Sequence, residues 1–177
     1  RSRASNRANA AAQLHREWRV GAVRALSYGA IIIGGGAAGL YCALHAGRRG
    51  KRVLVIEHND EVGAKILISG GGRCNFTNRY AKAENFLSSN PHFCRSALAR
   101  FTPQDFIALI EKYGICYHEK TSGQLFCDDS SQQIIDMLQR ECANAGVDWQ
   151  MPSQVKQVEY FPADKESQHA GRKFMLT

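Results

Sequence analysis

Ala30-Ile-Ile-Ile-Gly-Gly-Gly-Ala-Ala-Gly39, followed after a short interval by Arg52-Val-Leu-Val-Ile-Glu57, decides how the rest of this chain is read. The first four residues form a β-branched apolar run that breaks off in glycines, the pattern of a strand buried on both faces of a parallel sheet. Leu40, Ala43 and Leu44 then fall at helical spacing, and Gly47 and Gly50 offer stop signals before the second apolar strand begins. Strand, helix and strand together make a βαβ unit of about thirty residues.

Inside that unit, Gly34, Gly35, Gly36, Ala37, Ala38 and Gly39 satisfy G-x-G-x-x-G, a weak signal alone and a strong one between a strand and a helix. Gly34 makes the tight turn, Gly36 lets bare backbone approach a diphosphate, and Gly39 lets helix and strand pack closely. The anion then faces free amides at the positive end of the helix dipole, so no lysine is required. Glu57 ends the next strand 18 residues after Gly39, where a carboxylate accepts hydrogen bonds from the adenosine ribose and repels a 2′-phosphate. The segment is expected to hold the ADP half of a dinucleotide other than NADP; the fingerprint does not separate NAD from FAD.

Residues 59 to 80 change character, with Gly63, Gly70, Gly71 and Gly72 among Ser69, Asn75, Thr77 and Asn78. The pattern predicts a loop of some twenty residues without regular structure, and long loops in compact domains are more often functional than idle. Gly63-Ala-Lys-Ile-Leu-Ile-Ser-Gly-Gly-Gly-Arg-Cys-Asn-Phe-Thr-Asn78 resembles the signature loop of the BaiN-like flavoproteins, also described as the aminoacetone-oxidase type of NAD(P)/FAD-dependent oxidoreductases. From Ala30 onward the chain is similar to the N-terminal portion of that family, including Gly123-Gln-Leu-Phe126 and the Gly146-Val147 turn into a third core strand.

The resemblance implies an α/β, Rossmann-like FAD-binding domain: a parallel sheet with the βαβ dinucleotide fold and a β-meander, truncated here, with most of an inserted domain and the C-terminal part absent. It implies FAD as cofactor and NAD(P)H as electron donor. Gly71 and Gly72 would bring backbone amides to the cofactor, and Arg73 would pair with a phosphate or a substrate carboxylate. Asn75 and Asn78 would serve either loop carbonyls or flavin edge atoms, and Lys65 is open in the same way. Cys74 lies where the isoalloxazine is expected but has no resolving cysteine, which favours a packed thiol. Val155 falls where related flavoproteins offer main-chain groups to adenine; its side chain serves equally well as core.

Further along, Asn90-Pro91 opens an expected helix to about Arg100, and Thr102-Pro-Gln-Asp105 carries the start chemistry of another. Thr102 caps it, Asp105 reaches back, Phe101 staples onto Phe106, and Phe106, Leu109, Ile110 and Tyr113 form its inward stripe up to Gly114. A hairpin is expected from Ile115–His118 and Gln124–Cys127, then a helix carrying Ile134, Ile135, Leu138 and Cys142. Strands near residues 147–150, 155–160 and 173–177 follow, with a polar turn at 164–171.

Six arginines against Glu17 alone put most of the +7 net charge into residues 1–28, which leaves the remainder nearly neutral. That stretch reads as a disordered, non-functional extension, with organelle targeting or nucleic-acid contact as alternatives. A nearly neutral fold makes nucleic acid an unlikely partner of residues 29–177. No apolar run approaches the ~18 residues a bilayer span needs, so no membrane role is expected. Six cysteines without Cys-x-x-Cys or zinc spacing read as free thiols in a cytoplasmic protein, with no metal. His45, His58 and His118 read as surface or satisfied histidines, and no catalytic acid or base is assigned. The expected function is an FAD-dependent oxidoreductase acting on a small molecule. An NAD-dependent dehydrogenase, the flavin domain of an RNA-modifying protein, and an inactive fragment are the alternatives.

Overall fold

A computed structural model describes residues 26–161 and 173–177. The basic stretch up to residue 25 and the polar turn at 164–171 lie outside the described residues. Strand β1 (Ala30–Ile33), helix α1 (Ala37–Arg48) and strand β2 (Val53–Ile56) form the expected βαβ unit, parallel and in register from Ala30 opposite Val53 to Ile33 opposite Ile56. Next come α2 (Ala64–Ile68), a 3-10 turn at Ser69–Gly72 and β3 (Asn75–Asn78), then α3 (Arg95–Arg100) and α4 (Pro103–Lys112). Strands β4 (Tyr117–Glu119) and β5 (Gln124–Cys127), helix α5 (Gln132–Asn144) and strands β6 (Val147–Gln150), β7 (Val158–Phe161) and β8 (Lys173–Leu176) complete the order.

The core sheet is parallel, in the order β1-β2-β6, and two antiparallel sheets accompany it, β3-β5-β4 and the pair β7-β8. Among the described residues the expected meander is thus a two-stranded ribbon. Residues 59–80 are not a structureless loop. Val62 and Ile66 are buried, and β3 pairs with β5, so a segment without periodicity is ordered by a strand about 50 residues further along the chain.

All four residues of β2 are buried, whereas β1 is only half-buried and Ile33 is 59% exposed. The expectation of a strand buried on both faces therefore fails for β1. The reason is its place in the sheet: β2 has neighbours on both sides, and β1 pairs with β2 alone among the described residues.

Leu40, Ala43 and Leu44 are fully buried where α1 packs on the sheet and on α5. Gly47 does not stop the helix. It lies inside α1, and a side chain there would run into Ala145 at the end of α5, so the residue permits close helix contact. Arg49 and Gly50 end the turn by donating to the carbonyls of Ala46 and Gly47.

Helix α4 starts as its sequence predicts. Thr102 Oγ1 accepts from the Asp105 amide at 3.3 Å, and Asp105 Oδ2 accepts from the Thr102 amide at 2.7 Å. The rings of Phe101 and Phe106 meet edge to face, 6.4 Å apart. Its deepest residues are Ile107 and Ile110; Phe106, Leu109 and Tyr113 are half-buried. Phe106 turns instead toward an aromatic cluster with Tyr41 and Phe76, which widens the buried face to take in Ile107.

Three helices meet at Glu141. Its buried carboxylate accepts from Arg48 of α1, from Lys112 Nζ at 2.9 Å and from Tyr113 hydroxyl at 2.8 Å. Burial pushes this carboxyl upward, but the Lys112 and Tyr113 hydrogen bonds and the nearby Arg48 charge outweigh it, leaving Glu141 below its ordinary value.

Candidate functional site

The turn after β1 is tied to two other segments. Gly34 donates to the Ile56 carbonyl at 2.8 Å, the Gly63 amide donates to the Gly35 carbonyl at 2.9 Å, and the Gly35 amide donates to Glu57 Oε2 at 2.6 Å. Ser153, just beyond β6, donates to the Glu57 carbonyl at 2.7 Å. The ends of β1 and β2 and the return from β6 therefore converge on one crevice, the place where open α/β sheets bind ligands.

At its lip the N-terminus of α1 is bare. No side chain caps it, the first intrahelical bond runs from Leu40 to the Gly36 carbonyl, and Gly36, Ala37 and Ala38 are exposed. The amides of the first turn have no partner within the helix and carry the positive end of its dipole. Two of the three fingerprint glycines differ instructively. At Gly39 a Cβ would collide with the Gly34 carbonyl, so close packing of turn and helix requires glycine. At Gly36 the backbone is extended (φ −80°, ψ 179°), a conformation open to any residue, and a Cβ would meet nothing within 4 Å. The protein's own packing gives no reason for glycine at 36.

Glu57 is 6% exposed and turned into the turn. Asn59 donates to Oε1 through both its backbone and its side-chain amide at 2.9 Å, and His58 Nδ1 lies 3.0 Å from the same oxygen. The Asn59 amide, aided by that of Gly35 and opposed by burial, holds the carboxyl below its ordinary value. Beside it opens a cleft of about 330 Å³ lined by Ile33, Gly34, Ile56, His58, Ser153, Gln154 and Val155. Val155 thus lines the crevice. His58 and Ser153 were not singled out: adjacency to Glu57 was an available signal for the first, and nothing local pointed to the second.

The glycine-rich loop follows directly. Gly70, Gly71 and Gly72 adopt φ values of 57°, 67° and 86°, a left-handed run that side chains would strain. Gly70 lies under the Phe126 ring, whereas Cβ atoms at Gly71 and Gly72 would meet open space. Ser131 and Cys127 anchor the turn by donating to the Gly72 and Arg73 carbonyls at 2.8 and 2.9 Å. The side chains of Lys65 and Arg73 are exposed. The Asn75 side-chain amide faces the Thr77 and Leu125 carbonyls at 3.0 and 3.2 Å, an arrangement in which its nitrogen rather than its oxygen belongs on that side, and Asn78 donates to the Ser122 carbonyl. Cys74 is buried, and burial pushes its thiol up, as expected of a packed side chain. Cys127, pushed up to about 12 by burial, is equally inert. His118 is satisfied by Asp128 at 2.7 Å. No metal-binding group of His, Cys, Asp or Glu occurs among the described residues, and no helix there is long and apolar enough to cross a membrane.

A parallel βαβ sheet with a bare helix N-terminus and a carboxylate closing β2 defines a Rossmann-like dinucleotide-binding domain. Residues 28–174 match the family model described as the HI0933-like protein Rossmann domain, and the chain belongs to that FAD-binding family. It is 59% identical over 131 residues to a ribosomal RNA dihydrouridine synthase of Escherichia coli (strain K12), an alignment covering 74% of this chain and 33% of the relative. It is 30% identical over 113 residues to a 3-dehydro-bile acid delta(4,6)-reductase of Clostridium scindens, covering 62% and 27%. The chain thus spans about a third of the length of these curated relatives. Among solved structures, a 3-ketosteroid-delta4-(5alpha)-dehydrogenase from Rhodococcus jostii RHA1 superposes with a TM-score of 0.56 at 13% identity, over 86% of this chain and 45% of that one, a likeness of fold.

Proposed function

We propose that this chain forms the ADP-binding crevice and glycine-rich loop of an FAD-dependent reductase that acts on uridine in ribosomal RNA. The observation that carries the cofactor reading is Gly36, a glycine that neither backbone geometry nor packing demands, at the one place where a diphosphate needs bare backbone. In this reading the amides of Gly36, Ala37 and Ala38 receive the diphosphate. Glu57 Oε2, which accepts from the Gly35 amide alone, keeps a lone pair for the adenosine ribose, whereas Oε1 is taken up by Asn59. Val155 offers main-chain groups to adenine from the cleft, while the Gly71 and Gly72 amides and the exposed Arg73 face the rest of the cofactor. Lys65 supplies positive charge nearby, and Cys74 and Asn75 shape the loop on which the cofactor rests. When bound, FAD supplies the reducing equivalents, drawn from NAD(P)H.

The substrate follows from likeness: the 59% identical relative is named for dihydrouridine formation in ribosomal RNA, a two-electron reduction of a pyrimidine double bond. The more distant bile-acid reductase favours a small-molecule conjugated alkene as second reading. The cytoplasmic assignment suits either substrate. The test is twofold. The cofactor released by denaturing the complete protein is expected to be FAD. Deleting its gene is expected to remove dihydrouridine from ribosomal RNA, read by nucleoside mass spectrometry. Unchanged dihydrouridine would reject the RNA substrate and leave the small-molecule reading.

A further inference from the structure

Between β3 and α4, residues 79–100 contain no buried side chain. Ordinary connections of this length hide some apolar residues; here Tyr80, Phe86, Leu87 and Phe93 are 65%, 50%, 95% and 82% exposed. The same segment carries Arg79, Lys82, Arg95 and Arg100 against Glu84 alone, in a fold whose charge is otherwise nearly balanced. It is shaped locally: Cys94 Sγ lies 3.8 Å from the Ala83 carbonyl, Asn85 caps the turn by accepting from Lys82, and one edge of the Tyr80 ring rests on Gly123.

Exposed aromatic rings interleaved with cations are what a splayed, single-stranded RNA recognises. Bases stack on the rings, and the phosphates meet the cations. A purely apolar docking face would have no use for four cations in the same segment. We infer that residues 79–100 form the docking surface for an unpaired RNA segment, with bases on Tyr80, Phe86 and Phe93 and backbone phosphates on Lys82, Arg95 and Arg100. Arg79 is partly committed to Glu119, 3.1 Å away, and contributes less. The inference rests on the RNA reading above and deepens it. The segment begins where β3 ends, no more than about 28 Å of chain from Gly72, so RNA held here lies within reach of the glycine-rich loop.

The experiment uses the complete, flavin-loaded protein and a fluorescently labelled single-stranded ribosomal RNA fragment, with affinity read by anisotropy across a salt series. Phe86→Ala and Phe93→Ala are each expected to weaken binding about tenfold, the loss of one base stack. Lys82→Gln and Arg95→Gln are each expected to lower the slope of log affinity against log salt by about 0.7. Flavin content stays at the wild-type level in all four. Wild-type affinity and slope in folded, flavin-loaded variants would overturn the surface. So would loss of thermal stability with RNA binding unchanged, because the rings would then be packing against another part of the same protein. Dihydrouridine in ribosomal RNA, measured after gene deletion, separates the two failures: if deletion removes it while these variants bind normally, the substrate stands and only this surface falls.

Discussion

Gly36 and Gly39 are three residues apart and serve different masters. Gly39 is held by the Gly34 carbonyl, so any larger residue disturbs the turn itself, whereas the space above Gly36 is open. Gly36→Val therefore tests ligand approach without confounding it with folding. The variant is expected to unfold at the temperature of the flavin-free wild type and to release no FAD on denaturation. Normal flavin content would refute the diphosphate assignment. Cys74→Ser provides the contrast, because the thiol is buried and held close to Ser69, so absorbance in the flavin bands is expected to stay near wild type. Loss of the flavin spectrum in that variant would reopen a role for the sulfur.

At the scale of single elements, α4 shows how much a helix start decides. The reciprocal bonds between Thr102 and Asp105 give the Thr102 amide its partner and add the Thr102 hydroxyl to the Asp105 amide, which also reaches the Thr102 carbonyl at 3.2 Å. Thr102→Ala is expected to cost about 1 kcal/mol, read as a lower urea midpoint with an unchanged m-value. This motif was fully legible in the sequence because all its partners lie within five residues. The glycine-rich segment was legible only as a site: its glycines announced unusual backbone, but α2 and β3 form because Ile66 reaches the core and β5 pairs with β3. Gly47 misled for the same reason, since its partner Ala145 lies on another helix.

Across the whole molecule, two buried carboxylates tie distant pieces together. Glu57 joins the first turn to the end of β2, and Glu141 joins α1, α4 and α5. Both titrate below the ordinary 4.5, so the unfolded chain takes up more protons as the pH falls. Their stabilisation is complete above the unfolded value and is lost as the pH drops through the lower folded ones. Thermal unfolding followed from pH 6 downward is expected to show a falling midpoint below about pH 5. Glu141→Gln is expected to lower stability by about 1 to 3 kcal/mol at neutral pH, less than for a fully buried pair because Lys112 is 63% and Arg48 45% exposed. The same variant should decline less steeply with acid; an unchanged slope would show that Glu141 does not carry the effect.

Read alone, the sequence determined the βαβ unit, the glycine-rich turn, the acid at the end of β2 and the caps of α4. Each is a local pattern in which backbone preference, side-chain period and hydrogen bonding agree over a few neighbouring residues. Only the tertiary structure decided that β1 pairs with β2 alone among the described residues, that Gly63 and Ser153 close the crevice around Gly35 and Glu57, and that Asn78 spends its amide on the loop. Those outcomes depend on which distant segments fill a neighbour's surface and satisfy its polar groups, and no local pattern carries that information.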